Sequence, residues 1–256
     1  MRSPPVRQAV LLAAGRGSRL APHTDTVPKP LLPWRERPTL DHLADGLVAG
    51  GIERIVVVVH HLAEQVERWA EQRGQVPTMR SNDGATPVAA PEITCVRQAT
   101  LAGTADALLA AGEALRDEPF LLSATDYLLP PRFYPDFLAF HAAHGAGASV
   151  SLKRLAAQQL TARSSARFDA KGHDERDGGQ VLEIVEKPAP GRAPSAIGAN
   201  LMFVLPPEIL PYVQAVEPSP RGEREVQSAL NAWLADGGRC RGRVQPTPVE
   251  WVPGTR

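Results

Sequence analysis

Residues 11–33 read LLAAGRGSRLAPHTDTVPKPLLP. The apolar run at residues 8–14 is stopped by glycines, which suits a strand buried on both faces that opens into a loop. In that loop Gly15 and Gly17 permit backbone conformations and a close approach that side chains block, so consecutive amides can point at phosphate oxygens. Arg19 offers a planar fork of donors, and Lys29, held between Pro28 and Pro30, is a second cation on a stiffened loop. Strand, glycine loop and two cations describe an anion site at the carboxyl end of a sheet strand. By generic rules GRGSRL fits neither the dinucleotide fingerprint nor the Walker loop, and the alternative is a tight turn with solvated charges.

Outward from this stretch, apolar periodicity predicts helices over residues 40–50, 63–73, 103–115 and 225–236. Strands are predicted over 52–59, 93–97, 120–124, 148–154, 181–186, 199–205 and 240–245, with a charged turn, HDERDGG, at 173–179. Strand and helix alternate through the first half, the pattern of a parallel, doubly wound sheet with helices on both faces. No internal repeat of roughly 20–50 residues is present, which excludes solenoids and propellers.

The 256 residues exceed the usual single-domain size of roughly 100–200, yet α/β domains reach about 250 in one piece, so a single domain over 1–256 is expected. Lys and Arg total 28 against 28 Asp and Glu, and a net charge of zero gives no field for gathering nucleic acid or an anionic membrane. Cys95 and Cys240 make neither a disulfide framework nor a zinc motif, the pattern of a reduced, cytoplasmic protein with packing thiols. Apolar stretches are far shorter than the roughly 20 residues that span a bilayer. The N-terminus begins like a signal peptide, but its apolar run meets Gly15, Arg16 and Gly17 at once and reads as a strand entering a loop.

Residues 12–33 resemble the signature of the sugar-1-phosphate nucleotidyltransferases, the nucleotide-sugar pyrophosphorylases, approximately LAAGxGTRLxPxTxxxPKxLLP. Leu12, Ala13, Ala14, Gly15, Gly17, Arg19, Leu20, Pro22, Thr24, Pro28, Lys29, Leu31, Leu32 and Pro33 fall in register, with Ser18 for Thr. The resemblance implies a GT-A-like, Rossmann-type three-layer sandwich with a mostly parallel mixed sheet. It also implies an enzyme that uses Mg²⁺ to join a nucleoside triphosphate to a phosphorylated small molecule, a sugar 1-phosphate, releasing pyrophosphate. In that reading residues 12–15, Gly17 and Ser18 cradle the nucleotide, Arg19 holds the leaving pyrophosphate and Lys29 the α-phosphate.

Further positions follow from the same resemblance. QATLAGTADA, residues 98–107, would put Gln98, Gly103 and Thr104 at the base and ribose, although LAGTADALLA also reads as an ordinary helix start. Asp126, after FLLSAT, stands where the family binds magnesium through a carboxylate, and is otherwise a cap or turn residue. Glu186 and Lys187 of EKP would meet the sugar hydroxyls and sugar phosphate, with Asn200 contacting the sugar again. The chain departs from the family in Thr125-Asp126-Tyr127, where Gly-Asp is common, and in EWVPGTR, residues 250–256, which holds no second magnesium-binding Asp and reads either as a shortened WxDxGT or as the start of a GxRxDxG whose Asp would follow Arg256. Two other functions share the motif: a cytidylyltransferase acting on a non-sugar phosphate or phosphonate, and a nucleotide-binding regulatory protein without catalysis. The seven histidines form no ligand constellation and are expected to be structural or exposed.

Overall fold

The computed structural model describes residues 4–79, 87–126, 129–130, 132–145, 147–169 and 179–245. Nine strands make one sheet: β1 (Gln8–Leu12), β2 (Arg54–Val59), β3 (Glu92–Arg97), β4 (Phe120–Ala124), β5 (Ala148–Arg154), β6 (Ser164–Phe168), β7 (Gln180–Val185), β8 (Ile197–Leu205) and β9 (Cys240–Val244). Their spatial order is β6-β7-β9-β5-β8-β4-β1-β2-β3. Among the described residues, six helices longer than one turn accompany them: α1 (Thr39–Ala49), α2 (Ala63–Arg73), α3 (Thr104–Ala111), α4 (Phe133–His144), α5 (Leu210–Ala215) and α6 (Val226–Ala235).

Buried apolar side chains alternate along the central strands, which is why their sequences read as unbroken apolar runs. Val10, Val56 and Phe120 point to one face and pack with Leu108 of α3, Val213 of α5 and Leu230 of α6. Leu11, Val57 and Leu121 point to the other and meet Leu43 of α1, Val66 of α2 and Phe137 of α4. Helices thus cover both faces.

The expected mostly parallel sheet holds from β1 to β4 and needs correction beyond it. β1 runs parallel to β2 and β4, β2 to β3, and β5 to β9. β8 is antiparallel to β4, β5 and β6, and β7 to β6 and β9, so antiparallel ladders slightly outnumber parallel ones. A parallel neighbour needs a long crossover, usually helical, and the described links between β5 and β8 carry no α-helix. The predicted turn at 173–179 lies outside the described residues except for Gly179.

Burial pushes the Cys95 thiol up to about 11 and Cys240 higher still, in keeping with packing thiols. Among the described residues no helix is long and apolar enough to cross a membrane.

His141 is 1% exposed between α4 and the sheet, where its Nδ1 lies 2.9 Å from Ser149 Oγ. Burial holds its pKa down to about 4 from 6.5, so below 6.5 the unfolded chain takes up a proton that the folded chain refuses. Its contribution is complete above 6.5 and drains away as pH falls toward 4, by up to about 3 kcal/mol. Urea midpoints should therefore drop more steeply between pH 7 and 4.5 in the wild type than in His141→Leu; parallel declines would contradict this.

Candidate active site

The chain runs from β1 outward through β2 and β3, then returns to place β4 on the other side of β1. Such a switch point leaves a crevice beyond the carboxyl ends of the two strands. A cleft of about 340 Å³ opens there. Thr125 Oγ1 donates to Leu12 O at 3.2 Å and ties the two strand ends together.

The loop after β1 is held by short-range geometry. Gly17 takes a left-handed φ of 65°, and its carbonyl accepts from Thr24 Oγ1 at 3.1 Å. A Cβ on Gly17 would sit 3.0 Å from Thr24 Cγ2 and 3.1 Å from Lys29 Cβ, so glycine lets the loop close onto the Lys29 turn. Thr39 Oγ1 donates to Leu32 O at 2.9 Å, fixing the far end of that turn. From α2 and the residues before it, His61 Nε2 donates to Thr24 O at 2.9 Å and Gln65 Nε2 to Thr26 O at 2.8 Å. His60 Nδ1 similarly donates to Gln98 O at 2.8 Å. His60 and His61 thus fall on the structural side of the expectation, bracing both loops of the cleft.

Ten of the expected positions line the cleft together: Leu12, Ala13, Ala14, Gly15, Gly17, Lys29, Gln98, Gly103, Thr104 and Asp126. Lys29 Nζ donates to Asp126 Oδ2 at 2.7 Å, joining the cation of one strand end to the carboxylate of the other. Gln98 is buried, and its Nε2 donates to Asp106 Oδ2 at 2.8 Å. Gly103 has φ 115°, and a Cβ there would lie 2.4 Å from Arg224 O. Around it Arg224 N donates to Ala102 O at 2.8 Å and Ala105 N to Arg224 O at 2.9 Å, stitching the start of α3 to the approach to α6. Thr104 Oγ1 accepts from Val226 N at 3.0 Å, so this cleft residue also caps α6.

Five expected positions do not line this cleft. Ser18 and Arg19 are exposed in the short 3-10 turn of the same loop. Glu186 and Lys187 follow β7, with Lys187 Nζ 3.8 Å from Glu186 Oε1. Lys187 has φ 44°, a left-handed conformation that side chains rarely adopt and that clusters at functional positions. Asn200 is 1% exposed on β8 and donates to Ser151 Oγ at 3.0 Å, while the adjacent Leu201 lines the cleft. Leu101, Thr125 and Glu223 are further lining residues that the motifs did not mark. Near the EKP turn, Glu225 is held above the usual carboxylate range by burial, against a hydrogen bond from Arg221 and with the Glu186 charge adding to the rise.

Magnesium can be tested against this donor set. Among the described residues no group of three or more His, Cys, Asp or Glu stands ready to hold a metal. Asp126 supplies one half-exposed, hard carboxylate on the cleft wall, which fits a cation that keeps one or two carboxylates and takes its other ligands from substrate phosphates. Tyr127 and the C-terminal EWVPGTR lie outside the described residues.

Comparison with known proteins gives a consistent picture. A family model described as nucleotidyl transferase matches residues 8–245. The low-salt glycan biosynthesis nucleotidyltransferase Agl11 of Haloferax volcanii is 28% identical over 230 residues, covering 90% of this chain and 58% of that one. The chain therefore spans little more than half of that relative. UTP–glucose-1-phosphate uridylyltransferase 2 of Staphylococcus saprophyticus is 26% identical over 237 residues, 88% of this chain and 80% of the relative. The fold is that of UDP-glucose pyrophosphorylase complexed with UDP-glucose, at TM-score 0.78 and 19% identity over 93% of this chain and 90% of that chain. A UTP-bound UGPase from Acinetobacter baumannii superposes with TM-score 0.75 and 20% identity over 96% of this chain and 88% of that one.

Proposed function

The chain belongs to the nucleotidyl transferase family, and from that premise we propose that it transfers a nucleoside monophosphate from a nucleoside triphosphate to a sugar 1-phosphate. The observation that carries this reading is the meeting of Lys29 and Asp126 on the wall of a cleft built from the ends of β1 and β4. The names of the relatives, a uridylyltransferase for glucose 1-phosphate and a glycan-biosynthesis nucleotidyltransferase, support a sugar phosphate as acceptor.

An acceptor phosphate oxygen attacks the α-phosphorus in line; a bond forms between them as the bond from that phosphorus to the bridging oxygen of pyrophosphate breaks. The attacking phosphate is already ionised at neutral pH, so no general base is required. What the chain must supply is position and charge. The glycine loop at Gly15 and Gly17 gives its backbone to the triphosphate, Lys29 meets the α-phosphate as charge builds, and Arg19 holds the departing pyrophosphate. Gln98, Gly103 and Thr104 receive the base and ribose, while Glu186, Lys187 and Asn200 take the sugar and its phosphate. Magnesium, held by Asp126 and the phosphates, would neutralise part of the triphosphate charge.

The test is pyrophosphate release with magnesium and a panel of nucleoside triphosphates against sugar 1-phosphates, phosphocholine and a phosphonate, starting from UTP and glucose 1-phosphate. Release that requires a sugar 1-phosphate supports the reading. Release with phosphocholine or the phosphonate alone replaces it with a non-sugar cytidylyl or related transfer, and silence together with calorimetric nucleotide binding replaces it with a regulatory role.

A further inference from the structure

The EKP turn is held by a residue that no motif marked. Glu186 Oε2 accepts from Ser164 Oγ and from Gln227 Nε2, the latter at 3.2 Å. Its other oxygen, Oε1, has Lys187 Nζ at 3.8 Å. One oxygen of the carboxylate is thus occupied by the protein, and the plane of the group is fixed.

Gln227 lies in the first turn of α6 and is 5% exposed. Four residues on, and so on the same helix face, Asn231 exchanges two hydrogen bonds with the Ile184 backbone, Ile184 N to Oδ1 at 2.9 Å and Nδ2 to Ile184 O at 2.8 Å. This pins α6 against β7, whose end carries Glu186. The orientation of the Gln227 amide follows from chemistry: an ionised carboxylate only accepts, so the atom facing it is the nitrogen. Gln227 Oε1 is then left buried without a partner. An apolar residue would fill this interior position without leaving such an orphan, so what the amide contributes here is its nitrogen, which faces Glu186 Oε2 and, at 3.5 Å, Ser164 Oγ.

We propose that Gln227 is a positioning residue for the acceptor, holding Glu186 so that Oε1 is presented to an acceptor hydroxyl. This rests on the functional reading above and deepens it: an accept-only oxygen set by a rigid helix selects acceptors that carry hydroxyl donors. Because Thr104 caps the same turn of α6, the nucleotide and acceptor sides share one support.

The experiment compares the full-length wild type with Gln227→Met, Glu186→Gln and the double variant. Removing a charge-assisted bond to the carboxylate should raise the KM for glucose 1-phosphate about tenfold. KM for the nucleotide and the thermal midpoint stay near wild type, and in the Glu186→Gln background the second substitution adds less than about twofold. A joint rise in both KM values, or the same cost in both backgrounds, overturns the inference. Calorimetric titration with glucose 1-phosphate reads it independently of turnover. Weaker binding by Gln227→Met than by wild type sustains the inference even where no pyrophosphate is released, a silence that would count against the functional reading alone. Equal binding, or none by the wild type, overturns it.

Discussion

Lys29→Ala should lower kcat/KM for nucleotidyl transfer by about 10²- to 10³-fold, the scale on which removal of one preorganised charge or donor from a transition state is felt. The fold should survive, because the Lys29 side chain is partly exposed and its turn is fixed by backbone bonds, Leu31 N to Pro28 O at 2.8 Å and Leu32 N to Lys29 O at 3.2 Å. The ammonium reaches the end of β4 and has Asp126 at 2.7 Å, so it stands where a triphosphate and the carboxylate compete for one cation. Arg19→Ala should act in the same direction, chiefly on nucleotide KM, since Arg19 sits in the exposed part of the loop. Near-normal turnover in both variants with unchanged thermal midpoints would remove the phosphate-binding role from this loop.

Gly103→Ala should cost about 3 kcal/mol or more in unfolding free energy, combining a strained left-sided φ with an overpacked contact. The added Cβ would meet Arg224 O at 2.4 Å and Arg224 N at 2.6 Å, backbone atoms that cannot swing aside. Relieving the clash breaks the bonds between residues 102–105 and 224, and with them the cap that Thr104 gives α6. Gly15→Ala is the contrasting case: a Cβ there meets nothing within 4 Å, so stability should stay within about 0.5 kcal/mol. Nucleotide binding should nonetheless weaken, since the methyl group occupies space that a phosphate needs. Denaturant midpoints and calorimetry separate the two. Equal stability of both variants contradicts the first claim, and undiminished binding by Gly15→Ala contradicts the second.

Much of this was legible in sequence because it is local. Ala63–Arg73, Phe120–Ala124 and Ala148–Arg154 stand where periodicity puts them, and the strand–glycine–cation order of residues 8–33 is built as read. What stayed hidden has physical causes. Apolar periodicity did not mark α4, whose Pro135 lies in the first turn, where a missing N–H costs nothing. β6 opens with two serines and gives no apolar signal; Ser165 is buried because Ser195 O accepts its hydroxyl at 2.8 Å. The mainly antiparallel pairing of the C-terminal half follows from link lengths and sheet order, which no short window contains.

The candidate site divides in the same way. Ten motif positions converge on one cleft because they sit at a strand end, in the loop beyond it or, for Thr104, at the start of the helix that follows. The parts that brace them, His61 on Thr24, Thr104 on Val226 and Gln227 on Glu186, join residues 37, 122 and 41 positions apart and have no linear pattern. The positions proposed to meet phosphate were readable, whereas the side chains that hold them in place needed the fold.

The most direct measurement follows the α-phosphorus itself, by phosphorus NMR of the full chain with magnesium, UTP and glucose 1-phosphate. The account predicts a new diphosphate diester linking nucleoside and sugar, formed in step with free pyrophosphate and reversed when excess pyrophosphate is added. Appearance of nucleoside monophosphate with the sugar 1-phosphate left intact, or an unchanged spectrum across the whole nucleotide and acceptor panel, would contradict it.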